Sequence, residues 1–116
     1  PEQQEERTAQ LERATEQAAA VPLTVCRLAV ETLELAAEVA QDGNRNAASD
    51  AGSAGALAQA ALYAAGLNVS ANASSLQHPA TGYPWLDELG QLRSKGEAAG
   101  ERLTAALAER AGSTNR

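Results

Sequence analysis

The feature that most constrains this chain is a long central segment without formal charge. No Asp, Glu, Lys or Arg occurs between Asp50 and Asp87, although the chain as a whole is acidic with a net charge of −6. An uncharged run of this length predicts a helix that is packed against neighbours on most sides. A polar, asparagine-rich loop precedes it. Ser49 is the predicted N-cap of this helix, with Asp50 in its first turn.

Apolar residues recur at three-to-four spacing along the rest of the sequence, and no strand pattern is present. Helical segments are predicted at residues 2–20, 23–40, 49 to an end between 69 and 74, and 85 to about 109. The composition is rich in Ala and contains no Phe. Small side chains favour close packing of helix on helix. The sequence therefore predicts an all-α fold, a bundle of about four antiparallel helices.

The first two segments meet at Pro22, which lacks a donor and crowds the preceding turn. No polar cap or Gly surrounds it, so we expect one helix with a kink there rather than two helices. Apolar residues after Pro22 fall on two faces, which predicts neighbours on two sides of this helix. One face holds Leu23, Cys26, Val30, Leu33, Ala37 and Ala40, and the other holds Leu28, Leu35 and Val39. Gly43 is expected to end the helix in the left-handed conformation.

Three glycines lie within the uncharged helix, at Gly52, Gly55 and Gly66. Each costs about 1 kcal/mol in a helix relative to Ala. Their presence predicts close backbone approach at these positions, as in packed helix pairs.

Three sequence blocks resemble the cyclodeaminase/cyclohydrolase family of folate enzymes. They are A-T-x-x-A-x-x-V-P-L at residues 14–23, G-N-x-N-A-x-S-D-A-G at 43–52, and N-V-x-x-N at 68–72. The middle block is the most specific of the three. The resemblance implies an all-helical, generally dimeric protein that acts on a tetrahydrofolate derivative as its substrate. Family members release ammonia from formimino-tetrahydrofolate (a lyase reaction) or hydrolyse methenyl-tetrahydrofolate.

The resemblance also implies a domain organisation. Residues 1–110 are expected to form the C-terminal part of a cyclodeaminase/cyclohydrolase-like domain, and residues 111–116 a disordered tail. The family's glycine-rich P-G-G-G-S segment and its aspartate-bearing helix have no counterpart in this sequence. We therefore expect the chain alone to be inactive, and we assign no catalytic residue.

Six polar residues are the candidate substrate-binding residues: Asn44, Asn46, Ser49, Asp50, Asn68 and Asn72. Asn68 and Asn72 lie four residues apart and share a helix face. Each has a structural alternative. Asn44 and Asn46 are equally suited to bonding backbone groups of the loop, and Asp50 to stabilising a helix N-terminus. For Asn68 and Asn72, the alternative is a structural role in hydrogen bonds across a helix interface, and the residues alone favour it.

Charge and composition exclude several classes of protein. The acidic balance and a pI near 4.7 argue against nucleic-acid binding, which needs a basic surface. The central Ala-rich run is too weakly apolar for a membrane span. A metal site is not expected, since the chain has a single histidine, His78, and a single cysteine, Cys26. We expect His78 to be an exposed loop residue and Cys26 to be an inert buried thiol. A cytoplasmic location is expected.

Three hypotheses follow for the function. The first is part of a folate one-carbon enzyme that works as a homodimer or together with the family's N-terminal segment. The second is a non-catalytic helical module that binds folate or serves oligomerisation. The third, an unrelated Ala-rich bundle, predicts solvent-exposed Asn68 and Asn72 and no pocket beside Asp50.

Overall fold

The computed structural model describes residues 1–114, which form three long α-helices joined by short 3-10 turns. Helix α1 spans Glu2–Asp42, α2 spans Ala48–Ser74 and α3 spans Tyr83–Thr114. The turns are Arg45–Ala47 and Pro79–Gly82. No strand occurs in this part of the chain, so the all-α prediction is confirmed. There are three α-helices where the sequence predicts about four.

The count of about four treats residues 2–20 and 23–40 as separate segments, and both lie in α1 with Pro22 inside it. The expectation of one helix through Pro22 rather than two is therefore confirmed. Proline removes one backbone hydrogen bond. Ala19 and Leu23, on either side, are buried against the rest of the protein. This packing holds the helix together across the lost bond. The kink itself stays a prediction.

Gly43 ends α1, as predicted, but its conformation differs from the expectation. Its φ of −81° and ψ of 179° are extended rather than left-handed, and its N–H donates to the Val39 carbonyl at 2.8 Å. A Cβ at this position would lie 2.4 Å from the Val39 oxygen. Glycine is needed here for space, not for a left-handed backbone.

The predicted N-cap of α2 is wrong. The helix begins at Ala48, one residue before Ser49, and its cap residue Ala47 provides no side-chain bond. The 3-10 turn leads directly into α2. The Ala47 N–H donates to the Asn44 carbonyl at 2.8 Å, and the Ala48 N–H donates to the Arg45 carbonyl. These backbone bonds replace the side-chain cap. Asp50 lies in the first turn, as predicted.

Glycines set the close packing of α2 against α3. A Cβ at Gly55 would lie 2.1 Å from Leu103 Cδ2, and one at Gly66 would lie 3.3 Å from Leu89 Cδ1. The same holds for a glycine of α3 against a leucine of α2, since a Cβ at Gly96 would lie 2.6 Å from Leu62 Cδ2. The atoms that approach the α2 glycines closely belong to side chains, and not to the backbone as the sequence predicts. Residue numbers rise on α2 as they fall on α3, so these two helices run in opposite directions.

The core lies between all three helices and is built from small and medium-sized side chains. Leu33 and Cys26 are fully buried on α1, Val69 on α2, and Leu89 is 1% exposed on α3. The Cys26 thiol donates to the Leu62 carbonyl at 3.9 Å, and burial raises the pKa of this thiol. Cys26 is therefore a buried structural residue, as the sequence predicts.

Arg110 on α3 holds the C-terminal end of α1. Its guanidinium donates to the carbonyls of Ala40, Gln41 and Gly43 at 3.1, 3.1 and 2.8 Å. These carbonyls have no partner within their own helix, and a positive charge there complements the helix dipole. Helix α3 then continues to Thr114, past the end predicted near Glu109 and into the predicted tail. Residues 115 and 116 of that tail lie outside the described residues.

An ion pair joins α1 to α3 at the surface. Arg27 donates to both carboxylate oxygens of Glu88, with the Nη2–Oε1 distance at 2.7 Å. The hydrogen bonds from Arg27 lower the pKa of Glu88. The ion pair contributes fully to stability at pH values above the pKa that Glu88 has in the unfolded chain. This contribution is lost as the pH falls through the lower pKa of Glu88 in the folded protein.

We expect Glu88→Gln to destabilise the protein by at most about 1 kcal/mol, because the pair is partly exposed and screened by salt. The measurement is urea unfolding of both proteins at neutral pH and at a pH below the folded pKa of Glu88. The difference in unfolding free energy should shrink at the acidic pH and at high salt. A difference that grew at acidic pH would contradict the role given to this pair.

Candidate functional site

The six candidate residues fall into two groups at opposite ends of α2. Asn44, Asn46, Ser49 and Asp50 lie at or just before its N-terminal end, and Asn68 and Asn72 lie near its C-terminal end. Asp50 and Asn68 are separated by about 27 Å along the helix axis, from a rise of about 1.5 Å per residue. One compact ligand cannot contact both groups within a single chain.

Asn68 and Asn72 lie at a cleft between α1 and α2 with a volume of about 560 Å³. Opposite them, α1 contributes Val21, Pro22 and Val25. The fold thus brings together the first and third of the sequence blocks, which are far apart in the chain. Neither amide side chain makes a hydrogen bond within residues 1–114, so the interhelical hydrogen bond considered as an alternative is not seen there. Both amides are available to a ligand.

A second, apolar cleft of about 450 Å³ continues along the same two helices and shares Val25 and Ala61 with the first. Leu28 on α1 and Leu57 on α2 line it. Together they form an apolar groove with two amides at one end, which we call the α1–α2 groove. Clefts of about 300–1,000 Å³ with apolar walls and few polar groups are typical of small-molecule sites.

The other end of α2 is organised differently. The Asn44 Oδ1 accepts a hydrogen bond from the Asn46 N–H at 3.0 Å, so the Asn44 side chain shapes the loop. Ser49 and Asp50 are exposed, and the Ser49 carbonyl accepts from the Ser53 hydroxyl at 3.0 Å. A cavity of about 310 Å³ nearby is lined by six residues that include none of the four candidates. They are Ala40, Gln41, Arg45, Ala106, Glu109 and Arg110.

Sequence reasoning did not identify the apolar walls of the α1–α2 groove as part of a site. The second apolar face predicted on α1 has no packed neighbour among the described residues, since Leu28 is 56%, Leu35 60% and Val39 41% exposed. Val21 is 68% exposed and Leu57 is 74% exposed. An available signal was the double stripe on α1, which indicates a second contact surface. Nothing in the spacing distinguishes a wall of a groove from a buried helix face.

A further cavity, of about 690 Å³, lies where the N-terminal part of α1 meets the loop after α2. His78 lines it and is exposed, as predicted from its loop position. Glu12 accepts a hydrogen bond from the Gln77 N–H at 2.7 Å at the same place. Among residues 1–114, no group of three or more His, Cys, Asp and Glu residues is positioned to hold a metal ion. None of the described helices combines the length and apolar character that crossing a membrane requires.

Comparison with known proteins defines the class. A sequence model described as formiminotransferase-cyclodeaminase matches residues 1–89. The chain is also 41% identical over 97 residues to a methenyltetrahydrofolate cyclohydrolase from Methylorubrum extorquens. The match covers 84% of this chain and 47% of that relative, so the chain spans about half the length of the curated relative. The chain belongs to the formiminotransferase-cyclodeaminase family, and the hypothesis of an unrelated Ala-rich bundle is wrong.

Proposed function

We propose that this chain forms part of a folate one-carbon enzyme and binds a tetrahydrofolate derivative in the α1–α2 groove. The proposal rests on one observation. Val21 and Pro22 of α1 line the same cleft as Asn68 and Asn72 of α2. Two of the family-like sequence blocks supply these residues. The reaction is methenyl-tetrahydrofolate hydrolysis or formimino-tetrahydrofolate cyclodeamination.

The groove suits a flat ring with a polar edge. Apolar side chains of α1 and α2 contact the faces of the ring. Each Asn amide offers both a donor and an acceptor, which matches the mixed hydrogen-bonding edge of a pterin. Asn68 is exposed and Asn72 is half-buried, so binding replaces water at both amides. Orientation of the ring is therefore assigned to Asn68 and Asn72.

The residues at the other end of α2 have a separate role in this proposal. Two arrangements would let these residues contact the substrate: a ligand that extends along α2, or a second chain that lies across the groove. The residues are Asn44, Asn46, Ser49 and Asp50. Asp50 is an exposed carboxylate in the first turn of α2. As ligand contacts, all four stay predictions.

The groove contributes binding rather than proton transfer. Its two clefts are lined by no Asp, Glu, His, Lys or Arg. Both reactions require general acid–base groups, which typically supply about 10²–10⁴-fold each. We propose that the 116 residues alone do not catalyse either reaction. Cyclohydrolase and cyclodeaminase assays should detect no turnover by this chain; turnover would show that it carries its own catalytic groups.

We expect Asn68→Ala and Asn72→Ala each to weaken binding of 5-formyl-tetrahydrofolate by about 3–10-fold, the loss of roughly one hydrogen bond. Isothermal titration calorimetry measures the dissociation constants. Gln91→Ala is the matched control, since Gln91 is an exposed amide on α3 that lines neither cleft of the groove. Binding that is unchanged in both Asn variants, or lost equally in Gln91→Ala, would contradict the assignment.

A non-catalytic module from the same family is the alternative function, and the groove's lack of titratable residues favours it. Such a module binds folate or serves only for assembly. If this chain alone binds folate without turnover, the result fits both the enzyme part and the non-catalytic module. Restored turnover on adding the rest of the relative's length distinguishes the enzyme part from the module. A homodimer is proposed in either case, and the cytoplasmic location stays a prediction.

A further inference from the structure

A separate cleft lies between α2 and α3, and it shares no lining residue with the α1–α2 groove. Its volume is about 230 Å³, which about eight water molecules fill at about 30 Å³ for each. This volume is below the range of about 300–1,000 Å³ that is typical of sites for drug-sized ligands. The cleft therefore suits a molecule of the size of an amino acid, which is much smaller than a folate.

The α2–α3 cleft has an apolar floor. Leu33 of α1 and Leu62 of α2 line it, and both belong to the core of the protein. Gly96 lies on the α3 side and places no side chain over this floor. Tyr63 lines the α2 side and is 67% exposed. A short apolar group can therefore contact the floor while the rest of the same molecule stays at the surface.

Polar side chains lie against glycines at the two ends of the α2–α3 cleft. The Arg93 guanidinium lies on the α2 backbone, since a Cβ at Gly66 would be 2.9 Å from Arg93 Nη2. The Gln59 amide lies on the α3 backbone, since a Cβ at Gly100 would be 2.5 Å from Gln59 Nε2. Each side chain occupies space that any residue other than glycine would fill. The guanidinium and the amide therefore mark the two ends of the cleft.

Two opposite charges line the α2–α3 cleft without pairing. Arg93 and Glu97 lie four residues apart on α3, about 6 Å along the helix axis. Neither makes a hydrogen bond or an ion pair with another residue in the range 1–114. At this spacing, a basic residue that precedes an acidic one is the less favourable order for a helix pair. The guanidinium and the carboxylate are therefore both available to a ligand.

We propose that the α2–α3 cleft binds a zwitterionic α-amino acid with an aliphatic side chain, such as L-leucine. Arg93 donates two hydrogen bonds to the carboxylate of the ligand, and Glu97 accepts from its ammonium group. The aliphatic side chain contacts Leu33 and Leu62. A ligand with only an acid or only an amine leaves one of the two protein charges unmatched. Because the cleft and the groove share no residue, amino-acid binding and folate binding fail or succeed separately.

Titration of the isotope-labelled chain with L-leucine, followed by amide chemical shifts, tests the site. We expect saturable shifts at residues 59–66 and 93–100. The compound 4-methylpentanoate is leucine without its ammonium group, and 3-methylbutylamine is leucine without its carboxylate. Each should bind at least about 10-fold more weakly than L-leucine, because each loses a hydrogen bond between charged groups. An absence of saturable shifts with L-leucine would overturn the proposal. Equal binding of 4-methylpentanoate would overturn it as well, by showing a site for apolar acids.

Variants of the two charged residues test their separate roles. Arg93→Gln should weaken L-leucine binding by at least about 10-fold without weakening the binding of 3-methylbutylamine. Glu97→Gln should weaken L-leucine binding by a similar factor without weakening the binding of 4-methylpentanoate. Lys95→Gln and Glu101→Gln are the matched controls, since both remove exposed charges of α3 that do not line the cleft. Unchanged L-leucine binding in the Arg93 and Glu97 variants, or an equal loss in the controls, would overturn the proposal.

Discussion

Leu33→Ala is expected to lower the free energy of unfolding by about 2–5 kcal/mol, the range for removing a buried leucine side chain. Leu33 is fully buried on α1 and lies where all three helices meet. Its Cδ2 is 3.8 Å from the position of a Cβ on Gly55, and its Cδ1 is 3.6 Å from the position of a Cβ on Gly96. The substitution leaves a cavity among small residues that have few atoms with which to fill it.

Urea unfolding followed by circular dichroism measures this change. Domains are stable by only about 5–15 kcal/mol, so the variant should unfold at a clearly lower urea concentration than the unsubstituted protein. Leu67→Ala is the matched control, because Leu67 is 51% exposed and its truncation should change stability by less than about 0.5 kcal/mol. Equal effects of the two substitutions would show that Leu33 is not at the centre of the core.

Gly55→Ala should destabilise the protein by about 1–3 kcal/mol, the range for overpacking a core. The added Cβ would lie 2.1 Å from Leu103 Cδ2, and Leu103 is itself buried with little room to move. Alanine favours the helix by about 1 kcal/mol over glycine, so the overlap has to exceed this gain.

Gly90→Ala separates overlap from helix propensity. Nothing lies within 4 Å of a Cβ placed at Gly90, so this variant should be more stable by up to about 1 kcal/mol. Adding Leu103→Ala to Gly55→Ala should cost less than Leu103→Ala alone, because the overlap is removed at the same time. Thermal unfolding of the unsubstituted protein and of the four variants (Gly55→Ala, Gly90→Ala, Leu103→Ala and the double variant) gives the comparison. Stabilisation by Gly55→Ala would mean that α2 and α3 are less closely packed than described.

Helix type and close packing were predictable because they follow from local rules. The period of the apolar residues predicted an all-α chain. The α2 glycines predicted close packing, but not that the side chains of Leu89 and Leu103 provide it. The position of Gly43 predicted the end of α1. Its conformation was not predictable, since extended and left-handed backbones both allow a helix to end at glycine. Ser49 was misassigned as a cap because the 3-10 turn before α2 satisfies the backbone donors without a side chain.

The candidate site was predictable only as separate pieces. Asn68 and Asn72 were identified from their shared helix face, but their partners Val21 and Pro22 come from a distant part of α1. The distance between Asp50 and Asn68 follows only once α2 is known to be one uninterrupted helix. The exposure of Leu28, Leu35 and Val39 also depends on tertiary structure, because an apolar helix face indicates a neighbour without saying whether that neighbour belongs to the same chain.

The most direct test of the proposed folate site is a titration of isotope-labelled protein with 5-formyl-tetrahydrofolate, followed by amide chemical-shift mapping. The account predicts shifts concentrated at residues 18–28 on α1 and 57–72 on α2, with α3 residues such as Gln91 unaffected. Shifts confined to Asn44–Asp50, or no saturable shifts at any position, would contradict binding in the α1–α2 groove.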